Sequence, residues 1–194
     1  MIYKEQYFPT TFYTKDLQLD NKFLEQNILE WQKQDPEGLK KTNMYGWHSQ
    51  SNMHTKPEYK PVVDELIKMQ LEIYKEEYLD REPVLGNMWA NINYTGGYNQ
   101  SHIHPNSLFS GSYYVKTPPN CGDLVATDPR PGVQNCLPAR KQGQLPLNIW
   151  RDVYFKAHAG RAMMFPAWVW HRVEPNNSNE TRISIGFNFI QKGF

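Results

Sequence analysis

The chain has 194 residues, of which 39% are hydrophobic, 14% aromatic and 21% charged. That predicts one domain with a sizeable core and excludes a disordered or low-complexity chain, because so many aromatic side chains must be buried. Lys and Arg number 21 against 20 Asp and Glu, a formal net charge of +1. With no basic excess and no basic stripe, the charge argues against nucleic acid as a partner.

The opening MIYKEQYFPTTFYTKDLQLD lacks the unbroken apolar stretch of a secretion signal. No apolar run reaches the roughly 18 residues a membrane helix needs. The expectation is a soluble cytoplasmic protein without membrane contact. Cys121 and Cys136 are too few for a disulfide framework and suggest one facultative bridge at most.

Asn21 to Gln34 places Phe23, Ile28, Leu29 and Trp31 at helical spacing behind Asp20, a plausible N-cap. Residues 35–58 carry turn formers and little period, so they read as an irregular connector. Its His48 and His54 read as packing or hydrogen-bonding anchors. Lys60 to Leu79 forms a second helix, with Val62, Val63, Leu66, Ile67 and Met69 on its apolar face and Pro61 in its first turn. After Pro83 the texture changes to short β-type runs: MWANINY, SGSYYVKT, DLVATD, VYFKAHA, AMMFPAW and RISIGFNFI. Strands of this length split by Gly, Pro and Asn suggest an antiparallel sandwich or small barrel. The stretch Pro129 to Trp150 reads as a long surface excursion opened by the turn Asp128-Pro129-Arg130. Residues 1–82 are thus a helical support for a β core over 83–194.

His102 and His104 stand two apart in YNQSHIHPNS. On an extended segment such a pair points the same way and can present two imidazoles to one metal. His171 ends GRAMMFPAWVWH, and Arg182 and Ser184 follow as another i, i+2 pair on a β-type run. An arginine on a buried face needs an anionic partner, and a carboxylate gripped by both arms of the guanidinium meets that need. A facial metal site with open positions, built on histidine and a distant histidine, suits non-haem Fe(II).

The run G-x-x-N-x-x-H-x-H-P, SGSYYV, DPR, FPAWVWHRVEP and then RIS resembles the 2-oxoglutarate- and Fe(II)-dependent dioxygenases. It is most similar to a small group of them from phages and aquatic bacteria, which the start YFPTTFY and the segment GWHSQSNMH also fit. The resemblance implies a mainly β, single-domain double-stranded β-helix (a cupin-like jelly-roll) with N-terminal helices packed outside. It implies Fe(II), 2-oxoglutarate and O2, release of succinate and CO2, and hydroxylation of an unknown substrate, in the host cytoplasm if the chain is phage-encoded. His102 and His171 match the first and last iron ligands, Arg182 the arginine on the far carboxylate of 2-oxoglutarate, and Ser184 its hydroxyl companion.

Position 104 departs from the family pattern, which has Asp or Glu there. Either His104 is a third imidazole ligand, or it hangs back and water takes that position; a register using Asn106 is the weaker alternative. Asn91 is expected to line the cosubstrate pocket ahead of Asn93. Tyr113 is expected to touch 2-oxoglutarate, with Tyr114 as the opposite-face alternative. Asn188 shares strand parity with Arg182 and Ser184. Trp89, Trp168 and Trp170 read as core or pocket wall, and His158 as structural. A metal-binding or sensor protein without turnover is the alternative function, against which Arg182 and Ser184 argue. Halogenation would need a vacant third ligand position.

Overall fold

The computed structural model describes residues 1–130, 132, 139, 141–143 and 151–191. Its framework is an antiparallel sheet that curls on itself. The strands are β1 (Tyr13–Asp16), β2 (Asn43–His48), β3 (Val84–His102), β4 (Phe109–Lys116), β5 (Leu124–Thr127), β6 (Asp152–Phe155), β7 (Arg161–Pro166), β8 (His171–Val173) and β9 (Arg182–Ile190). They run in the order β1-β7-β4-β9-β3-β8-β5-β6, with β2 paired to β3. This is the jelly-roll expected from the sequence.

The long strand β3 makes the turn between the two halves of the roll. Its first part pairs with β9, from Val84 opposite Ile190 to Asn93 opposite Arg182. Its last part pairs with β8, where His102 stands opposite His171. One strand thus carries the pocket wall at one end and a metal-ligand candidate at the other.

Helices α1 (Asn21–Gln34) and α2 (Lys60–Glu76) cover the outer face of the β3–β9–β4 wall. Leu24 and Ile28 from α1 and Val62, Leu66, Met69 and Ile73 from α2 join Met88, Ala90, Ile92, Ile183, Ile185 and Phe187 in one core. Alternation sets this division: even positions of β3 and odd positions of β9 face the helices, and the opposite set faces the roll's interior. Each fully buried aliphatic side chain contributes about 1.5–3 kcal/mol, so the helices are a structural half of the wall.

Several sequence expectations shift. The α1 stripe is Leu24 and Ile28, while Phe23 is exposed; Asp20 caps the helix as expected, accepting from the Phe23 N–H at 3.0 Å. The second helix stops at Glu76 rather than Leu79, because Tyr78 turns left-handed with φ 52°. The helical support expected over 1–82 also supplies β1 and β2, and the connector read as irregular contains β2. β2 escaped notice because its outward half, Met44 and Tyr45, is apolar yet exposed, which blurs the alternation. Most of the Pro129–Trp150 excursion, including Cys136, lies outside the described residues; Cys121 is buried and forms no disulfide among the described residues. No helix among the described residues is long and apolar enough to cross a membrane.

Candidate metal centre and pocket

Three histidines meet inside the roll. The ligand nitrogens of His102, His104 and His171 lie within 4.8 Å of one another, an arrangement that could hold a metal ion. The end of β3 and the start of β8 bring His102 and His171 together, with ring centroids 4.3 Å apart. His104 follows on the outgoing loop, which is pinned where its N–H donates to the Ala167 carbonyl at 2.9 Å. Its Nε2 then lies 3.3 Å from Nε2 of His171.

Backbone carbonyls set the tautomers. His102 Nδ1 is 2.7 Å from the Gln100 carbonyl, and His171 Nδ1 is 2.9 Å from the Val169 carbonyl. A carbonyl only accepts, so each Nδ1 carries the proton and each Nε2 keeps its lone pair for the centre. Such hydrogen bonds fix the ring orientation of metal-ligating histidines. Burial, and secondly the neighbouring imidazoles, push His104 down to about 3; burial and then His102 push His171 to about 4. Burial also lowers His102. Neutral imidazole is the ligating form, so the set is ready for a divalent ion at neutral pH.

The centre opens into a cavity of about 380 Å³. Asn91, Ser184 and Asn188 line it together with Trp89 and His48. Asn91 and Ser184 face each other across β3 and β9, and Asn91 Oδ1 is buried without a partner among the described residues.

Arg182 sits behind this wall, 1% exposed. Its guanidinium donates to the Cys121 and Gly122 carbonyls at 3.1 and 3.3 Å and to Asn93 Oδ1 at 2.8 Å. Its Nε is buried and has no partner among the described residues, and all three acceptors are neutral. The Asp123 carboxylate acts on it only at a distance and is paired with Lys156 at 2.7 Å. The buried guanidinium thus has no ion pair of its own among the described residues, a costly arrangement that an anion would relieve.

The two tyrosines divide differently from the expectation. Tyr113 points into the core under the helices, and its hydroxyl donates to Asn21 Oδ1 at 2.6 Å. The cosubstrate contact expected of Tyr113 is therefore corrected: β4 alternation turns it outward. Tyr114, opposite Ser184 and electrostatically coupled to Arg182, is the inward tyrosine, and burial raises its hydroxyl to about 12.

Trp89 is pocket wall as expected, but Trp168 and Trp170 are 53% and 48% exposed. The turn between β7 and β8 sends Val169 inward and its two neighbours out. His158 is exposed, and Asp128 accepts from the Arg130 N–H and guanidinium as a turn cap does. His48, read as an anchor, is buried at the pocket, with its ring parallel to Trp89 at 5.5 Å. The signal lay in the pair Trp47-His48, whose alternation sends one ring to the core and the next to the cavity.

Comparison with known proteins agrees with this geometry. Residues 87–188, just over half of the chain, match the family model described as "Putative 2OG-Fe(II) oxygenase". No curated protein matches the sequence. Among solved structures, the chain is similar to a prolyl-4-hydroxylase of Pseudomonas putida, with a TM-score of 0.64 and 13% identity, covering 94% of this chain and 93% of that one. It is also similar to a Trichoplax adhaerens prolyl hydroxylase in complex with a hypoxia inducible factor peptide fragment (TM-score 0.67, 11% identity, 93% and 84% covered). HygX from Streptomyces hygroscopicus, solved with nickel and 2-oxoglutarate, shares the fold at a TM-score of 0.60 and 9% identity, covering 95% and 84%. A β3–β9 span that carries the histidine pair, the distant histidine and the R-x-S run within one matched segment makes this chain a member of the 2OG-Fe(II) oxygenase family.

Proposed function

We propose that the chain is an Fe(II)- and 2-oxoglutarate-dependent dioxygenase in which His102, His104 and His171 hold iron and Arg182, Ser184, Tyr114 and Asn91 receive 2-oxoglutarate. The observation that carries this reading is the convergence of three neutral imidazoles, two of them locked by carbonyls so that Nε2 faces the centre. The donor set fits Fe(II), since imidazole suits it and three protein ligands leave half of an octahedron open. The cosubstrate also fits, because a buried guanidinium with only neutral partners lies next to an unpartnered amide oxygen and an open serine hydroxyl.

When bound, iron and 2-oxoglutarate supply the oxidising power, with O2 consumed and succinate and CO2 released as the substrate is oxidised. The chain's own part is to position and to exclude water. The Gln100 and Val169 carbonyls hold two rings in register. Phe165 meets His171 edge-on at 4.9 Å and closes one side of the centre. Arg182 offers the charge that draws the far carboxylate inward, where Ser184 and Tyr114 offer hydroxyl donors.

His104 as the third ligand leaves the protein donors wholly neutral, which suits a site that must also accept the dianionic cosubstrate. The substrate is a small molecule or a peptide side chain. Anaerobic addition of Fe(II) and then 2-oxoglutarate should produce the metal-to-ligand charge-transfer band of a chelated keto acid. No band with wild-type protein carrying stoichiometric iron would overturn this reading.

A further inference from the structure

The roles proposed above use one end of the pocket. Along its inner face β9 presents Ser184, Gly186 and Asn188, and β3 answers with Asn91, Trp89 and Asn87, with the Arg182–Asn93 pair behind the Ser184 end. Trp89 crosses the middle of this wall because position 186 has no side chain: a Cβ there would come within 2.5 Å of the indole. Beyond the indole lies a second polar end.

There Asn188 Nδ2 donates to Asn87 Oδ1 at 2.9 Å. Asn188 is only 6% exposed, and its Oδ1 has no partner among the described residues. Exchanging the ends of both amides preserves their bond and again leaves one oxygen and one NH2 unused, so the surplus does not depend on which way they are assigned. Ser110 adjoins Asn188 in register and lines the same cavity. β2 adds His48, whose Nδ1–H donates to the Ser49 carbonyl at 2.6 Å, leaving Nε2 as an acceptor. The loop that carries His104 closes onto this end, where the Leu108 N–H donates to the Phe189 carbonyl at 2.9 Å. No Asp or Glu is among the described lining residues, and Lys41 is the one cationic side chain there.

We propose that this end, formed by Asn87, Asn188, Ser110 and His48, is the subsite for the molecule being oxidised, and that it takes an uncharged, hydroxyl-rich group of the saccharide or polyol kind. The inference rests on the oxygenase reading and adds to it a substrate class. The groups with spare capacity are mixed: an amide oxygen and an imidazole nitrogen accept, an amide NH2 donates, and the Ser110 hydroxyl, which donates to the Phe187 carbonyl at 3.5 Å, still accepts. A hydroxyl likewise donates and accepts, so a polyol can satisfy the whole set. A carboxylate would be drawn by Lys41, whose charge acts on His48. It would then face the lone pairs of Asn188 Oδ1 and His48 Nε2, so only an uncharged hydroxyl group satisfies every partner. An ammonium would find no counter-charge beside Lys41, the metal and Arg182.

The test uses the full chain loaded anaerobically with Fe(II) and 2-oxoglutarate, and three probes sharing one ring: D-glucose, D-glucosamine and D-glucuronate. Paramagnetic broadening of each sugar's proton signals by the iron reads binding beside the centre. Glucose should broaden saturably, with an affinity at least about fivefold above either charged sugar, the smallest effect expected when one buried partner is left unpaired. Asn188→Asp should move the preference to glucosamine. Asn87→Asp, at a half-buried position, makes the same comparison if the first variant does not fold.

Equal or better binding of a charged sugar to wild type, no saturable broadening by any of the three, or an unchanged order in a folded Asp variant would each overturn the assignment. The charge-transfer band of the wild-type complex separates the two levels. If it is present without the predicted sugar order, only the subsite falls. If it is absent, the oxygenase reading falls and takes the subsite with it.

Discussion

His104 Nε2 lies 3.3 Å from His171 Nε2, on rings inclined by only 15°. His171 Nε2 is the acceptor, so in the metal-free chain His104 Nε2–H can donate to it, and a cation entering the site would take the place of that proton between the two nitrogens. The close approach also sets His104 apart from Asn106, which is exposed and has a left-handed φ of 63°.

His104→Asp should therefore retain iron, since a carboxylate is an accepted third ligand, whereas His104→Gly should weaken it. His171→Ala should abolish retention, because its strand offers no substitute. Metal content after desalting reads all three variants. Equal iron affinity in wild type, His104→Asp and His104→Gly would show that this side chain does not coordinate.

Acid should destabilise the protein stripped of metal. His104 and His171 are held neutral down to about 3 and about 4, against an ordinary 6.5, chiefly by burial. Between those values and 6.5 the unfolded chain binds the extra protons. The stability they contribute is thus present above pH 6.5 and lost as pH falls toward 4. Each unit below 6.5 removes about 1.4 kcal/mol per histidine. Denaturant unfolding in a chelator at about pH 7.5 and about pH 5 should show this loss, reduced in His104→Gln. A pH-independent midpoint would contradict the burial argument.

Adjacent tyrosines should respond oppositely. Tyr113→Phe removes a hydrogen bond to Asn21 between sheet and helix, at a cost of about 1 kcal/mol in stability with 2-oxoglutarate affinity kept. Tyr114→Phe should reduce that affinity several-fold. The reverse pattern would restore the role that the sequence suggested for Tyr113.

How much was legible beforehand follows from what each signal encodes. The i, i+2 pair at 182/184 was readable because strand parity fixes which way side chains point once a strand is assumed. The 102/104 pair converges although β3 ends at His102, because the loop carrying His104 is pinned to the Ala167 carbonyl. Parity alone does not say which face is inward. Tyr113 and Tyr114 are equally large and aromatic, and only the helices packed over the outer wall decide between them. His48 was hidden for a different reason: β2 is held by pairing with β3, a contact more than forty residues away. Gln100 and Val169 act through carbonyls, which no side-chain pattern reveals.

Gly186→Ala tests the pocket floor. The added Cβ would meet the Trp89 indole at 2.5 Å, so the ring must move. Overpacking of this kind costs about 1–3 kcal/mol. Trp89 also stacks with His104 at 5.8 Å, so iron affinity should fall along with stability. Unchanged thermal stability and iron affinity would mean that the indole can leave the wall freely.

Arg182 separates an oxygenase from a passive metal holder. Its guanidinium is almost wholly buried and held by the Cys121 and Gly122 carbonyls and Asn93 Oδ1, none of which carries charge. A dianion entering past Ser184 would add a direct ion pair to the distant influence of Asp123. Losing that contact should cost roughly 2–5 kcal/mol, or about 30- to 1000-fold in 2-oxoglutarate affinity. Arg182→Lys keeps a charge but not the two-armed geometry, so it should fall between wild type and Arg182→Ala. Iron should still bind in both, because no histidine is touched. The expected result is a split: iron content near wild type, with 2-oxoglutarate affinity and succinate release strongly reduced and ordered Ala below Lys. Truncating a buried arginine can also loosen the fold, so circular dichroism and retained iron must accompany the titration. If a folded, iron-loaded Arg182→Ala bound 2-oxoglutarate as tightly as wild type, the anion corner would belong to some other ligand and the cosubstrate assignment would fail.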